Sequence, residues 1–338
     1  MKPPTVKEVA QQAGVSVATV SRVLNGSTAV DGELRQRVMA AAEQLRYRPN
    51  RLARNLRTKS TKTIAIVVPD IENPFFVSVT RGLEEVAFRE GYTVLVCNTD
   101  DDPQRESVYL QVLLDEAVAG IVVCATDERR SSAQVLKIME QGVAMVGLDR
   151  RLENAPVDGV LSDNFGGTRT AVSYLIEQGH RRIGLIAGPA KYAPARERRM
   201  GYEQALLDHG IAVEPALIKV TNFKGPEAAV ATEELFTAGD PPTALFLSSG
   251  NVALGSLRAL HRLGLLVPAD VSLIVFDDLE WADAYNPPLT VVSQNTRQLG
   301  GLAGDLLLRR LRGSTEPPQE RHLATQLIVR GSVTRPRS

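Results

Sequence analysis

The chain has 338 residues, enough for two or three domains, and 43% of them are hydrophobic, as in ordinary globular proteins. No apolar run approaches the roughly 18–20 residues of a membrane span, and the N-terminal segment lacks the apolar core of a signal peptide, so we expect a cytoplasmic protein with no membrane partner. The formal charges cancel, yet residues 1–62 hold twelve basic and four acidic residues. A basic head on an acidic body indicates that the head contacts a polyanion.

The first predicted elements are three short helices. Apolar residues between positions 6 and 13 follow the i, i+3, i+4, i+7 spacing of one helical face, and Gly14 then interrupts the pattern. Ser16 is a good N-cap for a second helix, and residues 31–46 predict a third. Two short helices around a glycine turn, braced by a third, predict a helix-turn-helix.

The second helix has an outer face that suits DNA. Arg22 is not needed in a core, whereas its guanidinium can bond O6 and N7 of guanine in the major groove. Val17 and Ala18 are small enough to approach thymine methyl groups. The short polar side chains that suit phosphate contacts are Ser16, Thr19, Ser21 and Asn25. The alternative is a small three-helix cap that binds no DNA.

The segment TVKEVAQQAGVSVATVSRVLNG, residues 5–26, resembles the N-terminal motif of the lactose-repressor (LacI/GalR) family of bacterial transcription regulators. YRPNRLARNLRT, residues 47–58, is similar to the hinge helix of that family. The similarity continues in IENPFF, SDNFGG, LIEQGHRRIGLIAGP, RRMGY, VPADVSLIVFDD and PPLTVVSQ. The resemblance implies a transcriptional regulator, most often a repressor, that binds a pseudo-palindromic double-stranded operator as a homodimer and responds to a small molecule.

The hinge segment also has a physical interpretation. Asn50 can cap a short helix that carries three arginines, Arg51, Arg54 and Arg57. By the resemblance, Leu56 is a wedge that enters the minor groove between base steps, and Ala53 packs beside it. The alternative is a basic linker that is disordered without DNA. Both interpretations hold if the segment folds only on the operator.

From residue 62, short apolar runs alternate with helical stretches. The runs are TIAIVVPD, YTVLVCNT, GIVVCAT, VAMVGLD, RIGLIAGP, ALIKVTNF, TALFLSS and VSLIVFDD. Near-continuous apolar strands separated by helices indicate parallel sheets covered on both faces. The predicted fold class is therefore an N-terminal all-α helix-turn-helix head followed by an α/β body of two doubly wound parallel-sheet lobes, resembling periplasmic sugar-binding proteins.

The predicted domains are a DNA-binding head, a hinge with its linker, and a body for effector binding and dimerisation, at residues 1–48, 49–61 and 62–338. Lobe one is predicted at about 62–161 plus 291–322, and lobe two at about 162–290 plus 323–338. The run LTVVSQN near residue 290 and the helix after it are expected to return the chain to lobe one. A last strand, about 323–330, is expected to return it to lobe two.

Ligands of such sheets lie beyond the carboxyl ends of the strands, which predicts an effector between the lobes. The resemblance matches Arg198 to the arginine that holds the effector and Asp277 to an aspartate that binds effector hydroxyls. It also matches cleft positions to Phe76, Asp149, Phe223 and Gln294, and Phe75 can add to the aromatic wall beside Phe76.

The predicted effector residues also include Ser249, where the chain departs from the family. Ser249-Gly250 stands where members often carry Asn-Asp, so two side chains that can bind a sugar are lost. This departure shifts the expected effector from a neutral sugar, which stays the alternative, toward a smaller or anionic metabolite such as a sugar acid.

An enzyme and a secreted binding protein are the alternatives from other classes. Four aspartates can supply a carboxylate pair and His180 a base. However, the four histidines are scattered, and no metal-ligand spacing, nucleophile elbow, P-loop or dinucleotide fingerprint is present. A free-standing solute-binding protein needs a signal peptide and has no use for the head. We therefore expect no catalytic residue, no metal site and no cofactor.

Overall fold

The computed structural model describes residues 4–24, 30–47 and 61–337. The chain divides into two compact units, Met1–Thr61, which we call the head, and Lys62–Ser338, which we call the body. The described part of the head forms α1 (Val6–Ala13), α2 (Val17–Leu24) and α3 (Gly32–Gln44). Within the described ranges, no helix is both long and apolar enough to cross a lipid bilayer.

The corner between α1 and α2 follows from local capping. The Thr5 hydroxyl accepts a hydrogen bond from the Glu8 amide, and the Glu8 carboxylate accepts one from the Thr5 amide at 2.6 Å, which begins α1 with a capping box. Gly14 ends α1 at φ 63°, in the left-handed region that glycine adopts at low cost. Arg37 of α3 donates from Nη2 to the Ala13 carbonyl at 2.7 Å. The small core of the head consists of Val9, Ala10, Ala13, Val20, Val23, Val38, Ala41 and Ala42.

The body alternates strands and helices. The strands are β1 (Thr63–Val68), β2 (Thr93–Asn98), β3 (Gly120–Val123), β4 (Ala144–Leu148), β5 (Asp158–Ser162), β6 (Ile183–Ala187), β7 (Ile218–Val220), β8 (Ala244–Leu247), β9 (Ser272–Phe276), β10 (Thr290–Ser293), β11 (Glu320–Leu323) and β12 (Gln326–Ile328). The α-helices are α4 (Pro74–Arg89), α5 (Pro103–Asp115), α6 (Arg130–Glu140), α7 (Asn164–Glu177), α8 (Ala193–Asp208), α9 (Gly225–Thr237), α10 (Gly250–Arg262) and α11 (Thr296–Leu311). A short 3-10 helix, Pro215–Leu217, precedes β7.

In the described body, these strands form two six-stranded sheets. The first has the order β11-β5-β4-β3-β1-β2, and all its neighbouring pairs are parallel. The second has the order β12-β10-β9-β8-β6-β7 and is parallel except for the antiparallel pair of β10 and β12. A helical head followed by two parallel-sheet lobes is the predicted fold class, which is confirmed.

Each sheet is covered by helices on both faces. We call the first sheet with α4, α5, α6 and α11 lobe one, and the second sheet with α7 to α10 lobe two. In lobe one, α4 and α11 pack on one face and α5 and α6 on the other. In lobe two, α7 and α8 cover one face and α9 and α10 the other. Strands buried on both faces need apolar residues at successive positions, which explains their continuous runs.

One predicted boundary is wrong. The strand in LTVVSQN, β10, pairs with β9 through Val291 and Val275 and therefore belongs to lobe two, not lobe one. The helix after it, α11, does return to lobe one, where Leu307 shares a core with Leu83. An apolar run shows that a strand is buried but not which sheet it joins. Within residues 61–337 the chain passes between the lobes after β5, after β10 and after β11.

In lobe one, α4 and α11 approach each other closely because two glycines lie at the contact. A Cβ on Gly82 would lie 2.1 Å from the Arg297 carbonyl oxygen, and a Cβ on Gly300 would lie 1.8 Å from the Val79 carbonyl oxygen. No side chain fits at these distances. The two helices therefore pack backbone against backbone, which fixes the segment that leads out of β10.

Candidate functional site

The outer face of α2 is the candidate DNA surface. Val20 and Val23 are buried against the head core, whereas Ala18 and Arg22 are exposed and Val17 is 42% exposed. The face that remains for DNA is therefore small and apolar with one cation, as a helix that enters the major groove requires.

The hydroxyl groups at the start of α2 have local partners. Ser16 Oγ accepts the Thr19 amide hydrogen at 3.1 Å and lies 2.9 Å from Thr19 Oγ1, so Ser16 caps the helix as expected. Ser21 is half-buried on the same helix. The other predicted DNA-binding residues lie outside the described residues; they are Asn25, Asn50, Arg51, Ala53, Arg54, Leu56 and Arg57.

The second candidate site is a cleft between the lobes with a cavity volume of about 300 Å³. Residues that follow the carboxyl ends of strands in both sheets line it, which is where ligands of open α/β sheets bind. The structure brings all eight predicted effector residues to this cavity: Phe75, Phe76, Asp149, Arg198, Phe223, Ser249, Asp277 and Gln294.

Arg198 is a buried cation held by lobe two. It lies on α8, its Nε donates to Asn164 Oδ1 at 2.8 Å, and its Nη1 donates to the Ser248 carbonyl at 2.7 Å. Its guanidinium lies 3.8 Å from the centroid of the Phe276 ring. Burial lowers the pKa of Arg198, and the charge of Asp277 raises it. Nη2 has no protein acceptor among the described residues, so it is the nitrogen left for a ligand.

Two carboxylates share the cleft with Arg198, of which Asp149 is buried and Asp277 half-buried. Asp277 accepts the Gly250 amide hydrogen at 2.9 Å and a Gln294 Nε2 hydrogen at 2.6 Å. Burial raises the pKa of Asp277, and Arg198 lowers it. Burial also raises the pKa of Asp149, while Arg150 and then Arg198 lower it. The carboxylates are therefore held near a fixed cation in a poorly hydrated wall.

Three of the lining residues have a backbone conformation that is uncommon outside glycine. Asp149, Phe223 and Asp277 have φ of 61°, 57° and 89°, and each comes shortly after a strand. The Phe223 ring lies over Gly188, where a Cβ would be 1.9 Å from the ring carbon Cζ. Such strained residues are concentrated at ligand sites, where the surrounding fold maintains them.

Two lining residues, Arg150 and Tyr192, were not predicted from the sequence. Arg150 is 6% exposed and donates to Asp101 Oδ1 at 2.6 Å and to the Ala125 carbonyl at 2.9 Å. Its guanidinium lies 3.8 Å from the centroid of the Tyr192 ring, which belongs to lobe two. The position of Arg150, directly after a strand-end aspartate, is the signal that could have found it. The other lining residues without a prediction include Asn73, Asp100, Lys191, Asn222, Lys224 and Asn251.

Comparison with known proteins identifies the family. The model for bacterial regulatory proteins of the lacI family matches residues 5–50, and a periplasmic binding protein-like domain matches residues 172–333. The HTH-type transcriptional repressor PurR of Haemophilus influenzae (strain PittEE) is 34% identical over 332 residues, which cover 97% of this chain and 98% of PurR. The chain belongs to the LacI family.

Solved structures of LacI-family regulators have the same fold. The transcriptional regulator CelR in complex with cellobiose is 34% identical and has a TM-score of 0.73, with 97% of this chain and 99% of CelR covered. The Lac repressor dimer bound to operator and the anti-inducer ONPF is 28% identical and has a TM-score of 0.86, with 98% and 100% covered. This LacI-family chain is a DNA-binding transcriptional regulator with an effector domain, as the sequence predicted.

Proposed function

We propose that this protein is a transcriptional repressor whose operator affinity is controlled by a neutral, polyhydroxylated small molecule bound between the lobes. The observation that carries the proposal is the presence of buried Arg198 and Asp149 and half-buried Asp277 at one cavity wall. An arginine and two carboxylates supply donors and acceptors at fixed positions, which suits a ring of hydroxyl groups.

The charges of the cleft argue against the anionic effector that the sequence favoured. A buried guanidinium needs a compensating anion, but Asp277 and Asp149 already act on Arg198 electrostatically. Arg150 is paired with Asp101. A carboxylate or phosphate on the ligand would add a further anion beside two aspartates, whereas a hydroxyl group can donate to Asp277 or Asp149 and accept from Arg198.

Aromatic side chains supply the apolar part of the site. The rings of Phe75 and Phe76 meet edge to face, with centroids 4.9 Å apart, at the first turn of α4. Phe223 lies in lobe two, on the other side of the cavity. A sugar has C–H faces for such rings and hydroxyl edges for the charged groups. CelR, one of the similar structures, is described in complex with cellobiose.

The DNA-bound form is a dimer, as the Lac repressor structure is. Both sheets end in an edge strand with exposed apolar residues: Leu95 and Val96 on β2 are 42% and 49% exposed, and Val220 on β7 is 57% exposed. Exposed apolar edges of this kind pair with another chain unless they are protected. A dimer that reads two half-sites on successive major-groove turns needs its two α2 helices about 34–36 Å apart.

Binding and release of a ligand account for the site without catalysis. The relatives are repressors, and Asp277 is hydrogen-bonded to Gln294 and the Gly250 amide. The charges of Asp277 and Asp149 are balanced by Arg198. The DNA of a bacterium lies in its cytoplasm, so a bacterial regulatory protein that binds an operator acts there. Ligand and operator then oppose or support each other through a reciprocal coupling free energy, typically about 1–3 kcal/mol.

Calorimetry of the full chain tests the ligand class. Neutral sugars and their matched sugar acids are titrated into wild type and into Arg198→Ala. We expect binding of a neutral sugar, loss of that binding in Arg198→Ala, and unchanged operator affinity of the ligand-free variant. The matched control is Arg199→Ala, which removes a neighbouring exposed arginine that pairs with Glu203. Binding of the acid in preference to the neutral sugar, or undiminished binding by Arg198→Ala, contradicts the proposal.

A further inference from the structure

Glu128 lies in lobe one, but its carboxylate binds two groups of lobe two. It is in the loop between β3 and α6 and is 8% exposed. Its Oε1 accepts the Ala193 amide hydrogen at 2.8 Å, and its Oε2 accepts from Arg196 Nη2 at 2.8 Å. Both contacts cross the gap between the lobes. One carboxylate of lobe one is therefore fully engaged by a helix of lobe two.

Ala193 is the first residue of α8, and the amino end of this helix has no side-chain cap from its own N-cap residue. The first amide groups of a helix have no acceptor within it, and the partial positive charge at this end favours an anion. Tyr192, at the N-cap position, makes no side-chain capping bond. Glu128 therefore supplies from the opposite lobe the acceptor and the negative charge that a capping residue normally supplies.

Lobe one holds Glu128 in place through a second buried carboxylate. Glu106 on α5 is 2% exposed, accepts the Thr126 amide hydrogen at 2.7 Å, and accepts a short hydrogen bond from the Ser131 hydroxyl. The Ser132 hydroxyl donates to the Glu128 carbonyl. Because the loop is fixed on both sides of Glu128, separating the lobes breaks the bonds to α8 and does not simply carry the loop along.

The other ion pairs between the lobes are more exposed. Within residues 61–337, Arg151 pairs with Glu197 and Lys224 with Asp70, and the carboxylate side chains of these pairs are 26% and 22% exposed, against 9% for Glu128. Exposed pairs contribute little to stability because water and salt screen them. Glu128 forms the inter-lobe pair whose carboxylate is excluded from water, so its loss should matter most.

We propose that Glu128 is an inter-lobe latch, which caps α8 from the opposite lobe and shifts the equilibrium toward the closed arrangement. The same helix carries Arg198, so the latch positions the ligand-binding arginine relative to lobe one. Its role in effector affinity rests on the proposed function, whereas its role in closure does not. Glu128 is a positioning residue and does not contact the ligand itself.

Lobe separation can be measured in the full chain without any ligand. Spin labels are placed at Gln104 on α5 and Met200 on α8, both exposed, in a Cys97→Ser background. Labelled chains are diluted with excess unlabelled protein so that distances within one chain dominate. In Glu128→Ala we expect a longer distance to appear and the open-to-closed ratio to rise about tenfold or more, as loss of charge-assisted hydrogen bonds implies.

Two further variants separate a latch from a purely structural cap. Glu153→Gln removes a carboxylate of the same lobe whose partner, Arg129, is on its own side of the gap, and it should keep the wild-type distances. Arg196→Ala breaks the ion pair from its exposed side and should open the lobes in part, even if Glu128→Ala fails to fold. Lower thermal stability with wild-type distances in both Glu128→Ala and Arg196→Ala overturns the latch, whatever ligand the cleft binds.

Discussion

Nη2 of Arg37 lies 2.7 Å from the carbonyl oxygen of Ala13, the last residue of α1. A cation at the carboxyl end of a helix satisfies a free carbonyl and is favoured by the helix dipole. One of the basic residues of the head is therefore engaged in holding the turn that precedes α2. The basic residues of a DNA-binding head need not all contact phosphate.

We expect Arg37→Ala to destabilise the head by about 1 kcal/mol, the usual net value of such a bond. Hydrogen exchange of residues 4–47 in the full chain, followed across a urea titration, measures the effect. Gln36→Ala, an exposed change on the same helix, is the control. Equal protection in the two variants would mean that the bond to Ala13 does not stabilise the turn.

Substitutions on the α2 surface and in the hinge should affect operator binding in different ways. Arg22→Ala removes a bidentate contact to a base edge, so it should weaken operator binding by about 1–3 kcal/mol and relax the preference at one base pair in each half-site. Leu56→Ala should weaken binding while leaving the half-site preferences intact, because a wedge responds to how easily the duplex deforms. Selection of bound sequences from a random pool compares the variants. A shift at the same base position in both would refute these roles.

The contact of α4 with α11 permits a sharp comparison between neighbouring glycines. Gly300→Ala would place a methyl group 1.8 Å from the Val79 carbonyl oxygen, whereas at Gly301 the nearest atom is 3.8 Å away. We expect Gly300→Ala to lower the free energy of unfolding by about 3 kcal/mol or more, because the helices must separate. Gly301→Ala should be neutral or stabilising by up to about 1 kcal/mol, since alanine favours a helix. Thermal unfolding of both variants decides this, and similar midpoints would contradict the close approach.

His180 should make the stability of the body depend on pH. It lies between the Thr243 hydroxyl and the Thr334 carbonyl, each 2.9 Å away, and burial lowers its pKa below 6.5. Below pH 6.5 the unfolded chain therefore binds a proton that the folded chain resists, so the contribution of His180 is complete above pH 6.5 and is lost as the pH falls.

The free energy of unfolding, measured between pH 7.5 and 5.5, should thus fall more steeply for wild type than for His180→Gln. Because Asp149, Asp277 and Glu106 have raised pKa values, they act in the opposite direction, but they are present in both proteins and do not enter the comparison of the two slopes. A His180→Gln variant with the same slope as wild type would remove His180 as the cause.

How much the sequence could predict depended on the range of the interactions involved. The parallel strands were recognisable because burial on both faces makes their apolar runs continuous, as in β1 and β9. The run DGVLS of β5 contains few apolar residues and gave no such signal, although it is a strand of lobe one. The sheet that β10 joins depends on pairing across the fold, which periodicity does not encode.

In the candidate site, too, local sequence predicted some residues, whereas contacts across the fold could not be predicted. Strand-end positions and the family resemblance predicted Asp149, Arg198 and Asp277 because local sequence fixes where a strand ends. The contact of Arg150 with Tyr192 joins two lobes, and neither residue carries a local pattern that names its partner. The charge balance of the cleft also required the structure, since the proximity of Asp277 to Arg198 is what weakens the expectation of an anionic ligand.

The three passages of the chain between the lobes have a consequence for synthesis on the ribosome. Lobe one needs α11 to cover the α4 face that carries Val79 and Leu83, yet α11 begins at Thr296, about two hundred residues after α4. At a synthesis rate of about 5–20 residues per second, that face is made roughly 10–40 s before α11. Nascent chains should therefore expose an apolar surface for most of translation, and the yield of native protein should depend on chaperones that bind such surfaces.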